Sequence, residues 1–383
     1  MLDHGRGYMK ASLLGVIGLF GIVAMSSVQF VRVSTPAWAS DNPIAACEKG
    51  VEIIRLWIRA TDPNAPSEER EKVRLRVERA NADCIEARKV APGDNQLLVT
   101  SAYALFALGD KSAGVKLIAK AAEAGYPPAM LMMARYMGNG DTVDKDVEAA
   151  WMLLIQSLQS NHASTRIKAA LEFMPGGVGP ESPKRATRTL RELVGEGNGE
   201  AMVALAMHVL DLKTAEPGSE RAIEGLDLLE NAASEAGNGT AMIFLSLLHN
   251  QGDVVERDAE KAKVYAQMAI DVGIKRAYGT MGQIYQNQGD MKTAVEWFHK
   301  GAAANDGFSQ GMLGFMYSGG FGIIQDIEQA IKWWTKGRWN GDRLSAGYLQ
   351  VYRDKQAEKK AYEDKKKEER KKTKKIGKTP NKN

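Results

Sequence analysis

Histidine and cysteine are scarce in this sequence, and their scarcity removes whole classes of chemistry. The five histidines, His4, His162, His208, His249 and His299, have no histidine partner four residues away, and the two cysteines form no CxxC pair. Neither a zinc site nor a dithiol redox centre is therefore expected. A G-x-S-x-G elbow and a nucleophile–histidine arrangement are missing as well. The stretch GNGDTVDKD (138–146) lacks the lysine–serine/threonine end of a phosphate loop and the ligand spacing of a calcium loop, while SGGFG (318–322) reads as a turn between helices. No catalytic residue, metal, cofactor or small-molecule substrate is expected. Proline is rare too, with 12 residues against 38 glycines, and aromatics make up only 7% of 383 residues that are 44% apolar. Few helix breakers and many flexible turn residues describe a helical chain.

What is present is a repeat. A glycine or asparagine just past a helix is the usual left-handed stop. Such residues recur at Gly93, Gly125, Asn161, Gly197, Gly237, Gly273, Asn305 and Gly341, at intervals between 32 and 40 residues. Nine residues beyond the first seven stand Ala102, Ala134, Ala170, Ala206, Ser246, Gly282 and Gly314, all small. Eight residues beyond them stand Ser101, Met133, Ala169, Leu205, Leu245, Met281 and Leu313, mostly apolar. Small residues set a close helix crossing. The second helices are expected to meet it with Leu117, Leu153, Thr189, Leu229, Tyr265, Trp297 and Trp333. In the clearest copy, residues 305–337, the spacing predicts helices over Gln310–Tyr317 and Asp326–Lys336, with Gly314 against the second helix and Trp333 covering the contact. The expected fold is all-α, a solenoid of about seven helical hairpins over residues 93–350.

The order alanine–glycine, alanine, leucine–glycine, tyrosine, glycine-rich loop, alanine and tryptophan is visible in AGYPPAMLMMARYMGNGDTVDKDVEAAW (124–151). It recurs in AGNGTAMIFLSLLHNQGDVVERDAEKAKVY (236–265), in VGIKRAYGTMGQIYQNQGDMKTAVEWFHKGA (272–302) and in residues 305–337. This pattern resembles the Sel-one-like repeat (SLR) family, relatives of the tetratricopeptide repeat. The resemblance implies a right-handed superhelix of α-hairpins and a non-catalytic role as a scaffold or adaptor for protein partners. It places such arrays in envelope signalling, polysaccharide export, motility machines or host contact. Copies 161–196 and 197–236 depart from the pattern, since Pro175, Gly176 and Gly177 interrupt one and Leu212–Ser219 lengthens the turn of the other. A cysteine-rich branch of the family linked to β-lactam binding carries a cysteine pair in each repeat. Neither that pair nor an S-x-x-K nucleophile occurs here, so that activity is not carried over.

The two ends differ from the array. Arg6 and Lys10 precede an apolar run, Ala11–Val31, and Ala37-Trp38-Ala39-Ser40 follows it. Residues 1–39 thus read as a secretory signal cut between Ala39 and Ser40. The run is also long enough to stay as a membrane anchor. Either way, residue 40 onward is expected across the membrane, periplasmic or secreted. Residues 40–92 read as a helical hairpin opened by Pro43, with Ile44, Val51, Ile54, Leu56 and Trp57 on its apolar side, a turn at TDPNAPS (61–67) and Ser67 as an N-cap. Antiparallel packing brings Cys47 and Cys84 together, and in an oxidising compartment a disulfide worth about 3–4 kcal/mol is expected. Two unpaired thiols in apolar surroundings are the alternative. Residues 351–383 form the other end, and 353–383 hold fourteen Lys or Arg against six Asp or Glu. Tyr352–Lys375 favour an exposed helix and Gly377–Asn383 disorder. The basic run of Lys365, Lys366, Lys367, Lys371, Lys372, Lys374 and Lys375 is either a solvated end or a patch drawn to anionic envelope surfaces. Nucleic acid is not an expected partner of an exported chain.

In tetratricopeptide arrays the first helices line the inner surface, and the resemblance assigns the exposed positions to those six and ten residues past each stop. Here they include Val99, Tyr103, Leu131, Arg135, Ile167, Leu171, Val203, Met207, Ile243, Leu247, Gly279, Gln283, Gly311 and Phe315. Two readings of this largely apolar set stand side by side. It forms a groove that accepts a peptide or helix, or its members bury one another between neighbouring first helices.

Overall fold

The computed structural model describes residues 42–50, 52, 67–210 and 216–376. The proposed cleavage site at Ala39 and Ser40, the hairpin residues Val51, Ile54, Leu56 and Trp57, most of the 61–67 turn and Gly377–Asn383 lie outside the described residues. Every described element is helical. Short helix α1 (Pro43–Glu48) starts at Asn42, whose side chain accepts a hydrogen bond from the Ile44 N–H at 3.0 Å, and Pro43 occupies the first turn, where no N–H is needed. Helix α2 (Ser67–Val90) lies against it. Cys47 and Cys84 are fully buried and joined as a disulfide with Cα atoms 4.7 Å apart.

Hairpins then follow without interruption: α3 (Asn95–Ala107) with α4 (Lys111–Glu123), α5 (Pro127–Asn139) with α6 (Val147–Leu158), and α7 (Ala163–Leu171) with α8 (Pro183–Gly195). Next come α9 (Gly199–Leu210) with α10 (Glu220–Ser234), α11 (Gly239–Gln251) with α12 (Ala259–Asp271), α13 (Arg276–Asn287) with α14 (Met291–Ala303), and α15 (Gly307–Gly319) with α16 (Ile327–Trp339). Each helix packs on its hairpin partner and on its sequence neighbours, and first helices also touch the next first helices. The buried residues accordingly fall into a chain of local clusters rather than one centre, the quasi-linear arrangement of a solenoid.

Local chemistry explains the boundaries. Asp94, Asp110, Asp146, Asp290, Asp306 and Asp326 each accept the N–H of the residue three positions on, and Asn198 and Asn238 do the same. Of the eight expected helix stops, Gly125, Gly197, Gly237, Gly273, Asn305 and Gly341 have positive φ. Gly93 and Asn161 do not. At the latter, α6 closes through Gln159 and Ser160 N–H groups that reach Gln156 and Ser157 carbonyls, a tight right-handed turn that needs no left-handed residue. A second series of left-handed glycines, Gly109, Gly140, Gly252, Gly289 and Gly320, turns the chain inside the hairpins.

Both predicted columns of the first helices are buried throughout. The column on the second helices is displaced by one residue in five of the seven units, while Leu229 is fully buried and Thr189 buried at the expected positions. Ile118, Leu154, Leu190, Phe298 and Trp334 fill the crossings, whereas Leu117, Leu153, Tyr265, Trp297 and Trp333 are half-exposed. The glycines show why. A Cβ on Gly282 would lie less than 3.0 Å from the Phe298 ring, and one on Gly314 less than 3.0 Å from Trp334. A single residue step turns a side chain by about 100° around the helix, and the packing selects the later face.

The last helix, α17 (Arg343–Ile376), runs across residue 350, the expected end of the array. It follows the Gly341 stop, starts at Asp342 and buries Leu349, so its first turns are the opening helix of an eighth unit. The helix then continues without a break past Tyr352, and residues 353–369 are exposed on all sides.

Candidate functional site

The inner surface is built from α3, α5, α7, α9, α11, α13 and α15, and their burial distinguishes the two readings of its residues. Leu131, Ile167, Val203, Ile243 and Leu247 are buried, and Gly279 and Gly311 lie under neighbouring side chains. Residues 241–250 of α11 are buried on every side. In the middle of the array these side chains therefore fill core between neighbouring first helices, and they do not line an open apolar groove. Leu171 is exposed, and Val99, Tyr103, Arg135, Met207, Gln283 and Phe315 are half-buried.

Polar residues dominate what remains accessible in the first half. Arg135 Nε donates to Glu172 Oε1 at 2.6 Å, and Glu172 Oε2 accepts the Val178 N–H at 3.1 Å. The Pro175–Gly177 interruption has a structural use here. It turns the chain so that the Gly179 N–H reaches the Glu172 carbonyl, and a Cβ on Gly177 would collide with that carbonyl. Lys168 stands nearby with its pKa lowered, chiefly by burial and further by Arg135, against the opposing pull of Glu200. Burial raises the Tyr103 pKa, and the phenol donates weakly to Met132 sulfur at 3.7 Å.

A cluster of accessible aromatic and apolar side chains stands at the C-terminal end. Phe315 stacks on Phe321 at 5.2 Å and meets Tyr348 at 6.0 Å, and Tyr348 stacks on Trp334 at 5.3 Å. Leu344, Tyr348 and Val351 share one face of α17 at four-and-three spacing. Phe321 is 41% exposed, Leu344 38% and Val351 54%, while Ile324 in the adjoining turn is 87% exposed. Val351 lies ten residues past Gly341, the same position that Phe315 occupies past Asn305. Of this strip the sequence rule found only Phe315. The Gly341 stop was a signal for the rest, since counting an eighth opening helix would have reached Val351.

Residues 127–162, 239–274, 277–306 and 308–337 each match the family model of the Sel1 repeat. The chain carries Sel1 repeats. The Sel1 units coincide with α5–α6 and with α11 through α16, and the hairpins between and before them extend the same array. A Sel1 repeat protein from Oxalobacter formigenes is 19% identical and aligns over 87% of this chain and 93% of its own, with a TM-score of 0.44. A protective antigen of uropathogenic Escherichia coli with an SLR fold is 18% identical over 77% of this chain and 68% of its own, at 0.41. Yeast Tom70 is 14% identical over 94% of this chain and 74% of its own, at 0.56, a likeness of fold. No curated protein is significantly similar in sequence.

Among the described residues no group of three His, Cys, Asp or Glu is placed to hold a metal, and no helix is long and apolar enough to cross a membrane. Lys365, Lys366 and Lys367 are exposed on α17, within a helix that also carries Glu363, Asp364, Glu368 and Glu369. The buried disulfide is compatible with an oxidising compartment.

Proposed function

We propose that this chain is a non-catalytic scaffold that holds protein partners in a bacterial cell envelope, and that its docking surface is the C-terminal end of the concave face. The observation that carries this reading is the strip of Phe315, Phe321, Leu344, Tyr348 and Val351 at the C-terminal end of the inner face, joined by ring contacts and partly open to solvent. An interface gains most from aromatic anchors with a desolvated centre. An amphipathic partner helix presenting three or four apolar residues fits such a strip. The disulfide and the apolar leader support export to the periplasm, with secretion as the other destination. The lysines of α17 extend from the same end, where they would steer an acidic partner or an anionic envelope surface toward the strip.

Crosslinked capture from envelope fractions tests this. The full chain, the Phe321→Asp/Val351→Asp variant and a chain truncated after Tyr352 are compared, with partners identified by mass spectrometry. Discrete proteins held by the full and truncated chains and lost from the double variant are the expected result. Equal retention by the double variant would place docking elsewhere, and loss on truncation alone would move it to the basic helix.

A further inference from the structure

The outer side of the last Sel1 unit holds a cavity of about 420 Å³ between the end of α14, the start of α15 and α16. Its lining includes Trp333, Trp339 and Lys336 together with the amides of Asn305, Gln310 and Asn340. The Lys336 ammonium sits 4.4 Å above the Trp333 ring, and none of the described ion pairs includes it. Asn340 Nδ2 donates to Gln310 Oε1 at 2.7 Å, and Gln310 Nε2 donates to the Ala302 carbonyl at 3.2 Å. This chain fixes the orientation of both amides and leaves the Asn340 carbonyl oxygen as an acceptor. Asn305, in the left-handed conformation at φ 60°, adds a donor and an acceptor.

The preceding repeat supplies an internal comparison. Trp297 and Lys300 occupy the positions of Trp333 and Lys336, eight and five residues before the next stop, with the ammonium 3.7 Å above the indole. The pair is thus shared by the last two units. The other four positions differ. Where the last unit has Asn305, Gln310, Trp339 and Asn340, the preceding one has Gly273, Tyr278, Ala303 and Ala304. There Tyr278 stacks on Trp297 at 6.3 Å and covers it. The last unit thus differs from its neighbour in lining this cavity with three amides, of which Gln310 and Asn340 are fixed by their mutual hydrogen bond.

From this geometry we infer that the cavity between α14, α15 and α16 binds an acidic glycan, a sugar ring bearing a carboxylate. Indole faces carry negative quadrupole charge and attract the polarised C–H faces of a sugar ring. Fixed amides match hydroxyl groups that each donate and accept, and the unpaired ammonium takes the carboxylate. A purely apolar peptide side chain would leave the Asn340 carbonyl oxygen and the Asn305 amide without partners, at a desolvation cost.

The test is calorimetry and saturation-transfer NMR on the full chain with tetragalacturonate and with the N-acetylglucosaminyl–N-acetylmuramic acid disaccharide. A neutral galactose tetramer and inorganic phosphate serve as controls. One or both acidic sugars should bind, with the neutral tetramer weaker by about tenfold. Lys336→Gln, Asn305→Gly and Trp339→Leu should each weaken binding by a similar factor, whereas Lys300→Gln in the covered pocket should leave it unchanged. Glycine suits the left-handed turn at 305, so Asn305→Gly should keep the unfolding temperature of the parent and isolate the amide. Absence of binding by either acidic sugar overturns the inference. Equal weakening by Lys300→Gln, which would signal diffuse charge, overturns it too, as does phosphate binding as tightly as the sugars.

Discussion

Substituting Gly314 by alanine measures what the close crossing of α15 and α16 contributes. The added methyl would lie less than 3.0 Å from Trp334, whose ring is 5% exposed and stacked on Tyr348, so the indole has nowhere to retreat. Overpacking of this kind costs about 1–3 kcal/mol. Alanine also favours a helix interior over glycine by about 0.5–1 kcal/mol, which offsets part of that cost. Gly347 separates the two effects. It lies inside α17 with nothing within 4 Å of the position a Cβ would take. Gly347→Ala should therefore stabilise by the propensity difference alone, and Gly314→Ala should be worse than it by about 1–3 kcal/mol. Urea unfolding followed by far-UV circular dichroism gives both values, with Gly282→Ala against Phe298 as a second instance of the crowded site. Equal gains at positions 314 and 347 would refute the reasoning, because α16 would then have room to move outward.

Other expectations concern different parts of the molecule. Reducing Cys47–Cys84, which are 37 residues apart, should cost about 4 kcal/mol by loop closure. Hydrogen exchange should rise in Ser67–Val90 and stay unchanged from α5 onward, and a uniform rise would contradict a local role. His249 is 8% exposed and stacked on Tyr265, and its pKa is lowered first by burial and then by Lys261. The folded state thus binds fewer protons than the unfolded one. The stabilisation is complete above the unfolded value of about 6.5 and is lost as pH falls through the lower folded value. His249→Phe should flatten this acid-side slope in thermal melts, and an unchanged slope would assign it to other groups. Ile243→Asp, at 2% exposure, should unfold the central units by placing an unpaired carboxylate in core. Leu171→Asp with Met207→Asp should leave helicity intact, since Leu171 is 38% exposed and Met207 half-buried. Circular dichroism of the two proteins would distinguish them.

The sequence alone determined whatever depends on near neighbours along the chain. Asp and Asn caps, six of the eight left-handed stops, the small column from Ala102 to Gly314 and the Cys47–Cys84 pairing each follow from rules spanning a turn, a hairpin or one repeat interval. Those rules were sufficient for the all-α solenoid. Tertiary structure decided which faces meet. The rotation that brings Trp334 rather than Trp333 to Gly314 is set by the crossing of two helices, and adjacent positions on a helix differ by too large an angle for a one-residue error to be harmless. Burial of Leu131, Ile167, Val203, Ile243 and Leu247 depends on how closely successive repeats stack, which no single repeat encodes. The open strip from Phe315 to Val351 exists because, among the described residues, no further hairpin packs on α17. The amide cluster of Asn305, Gln310 and Asn340 joins residues up to 35 positions apart whose common cavity appears only when α14, α15 and α16 are packed together.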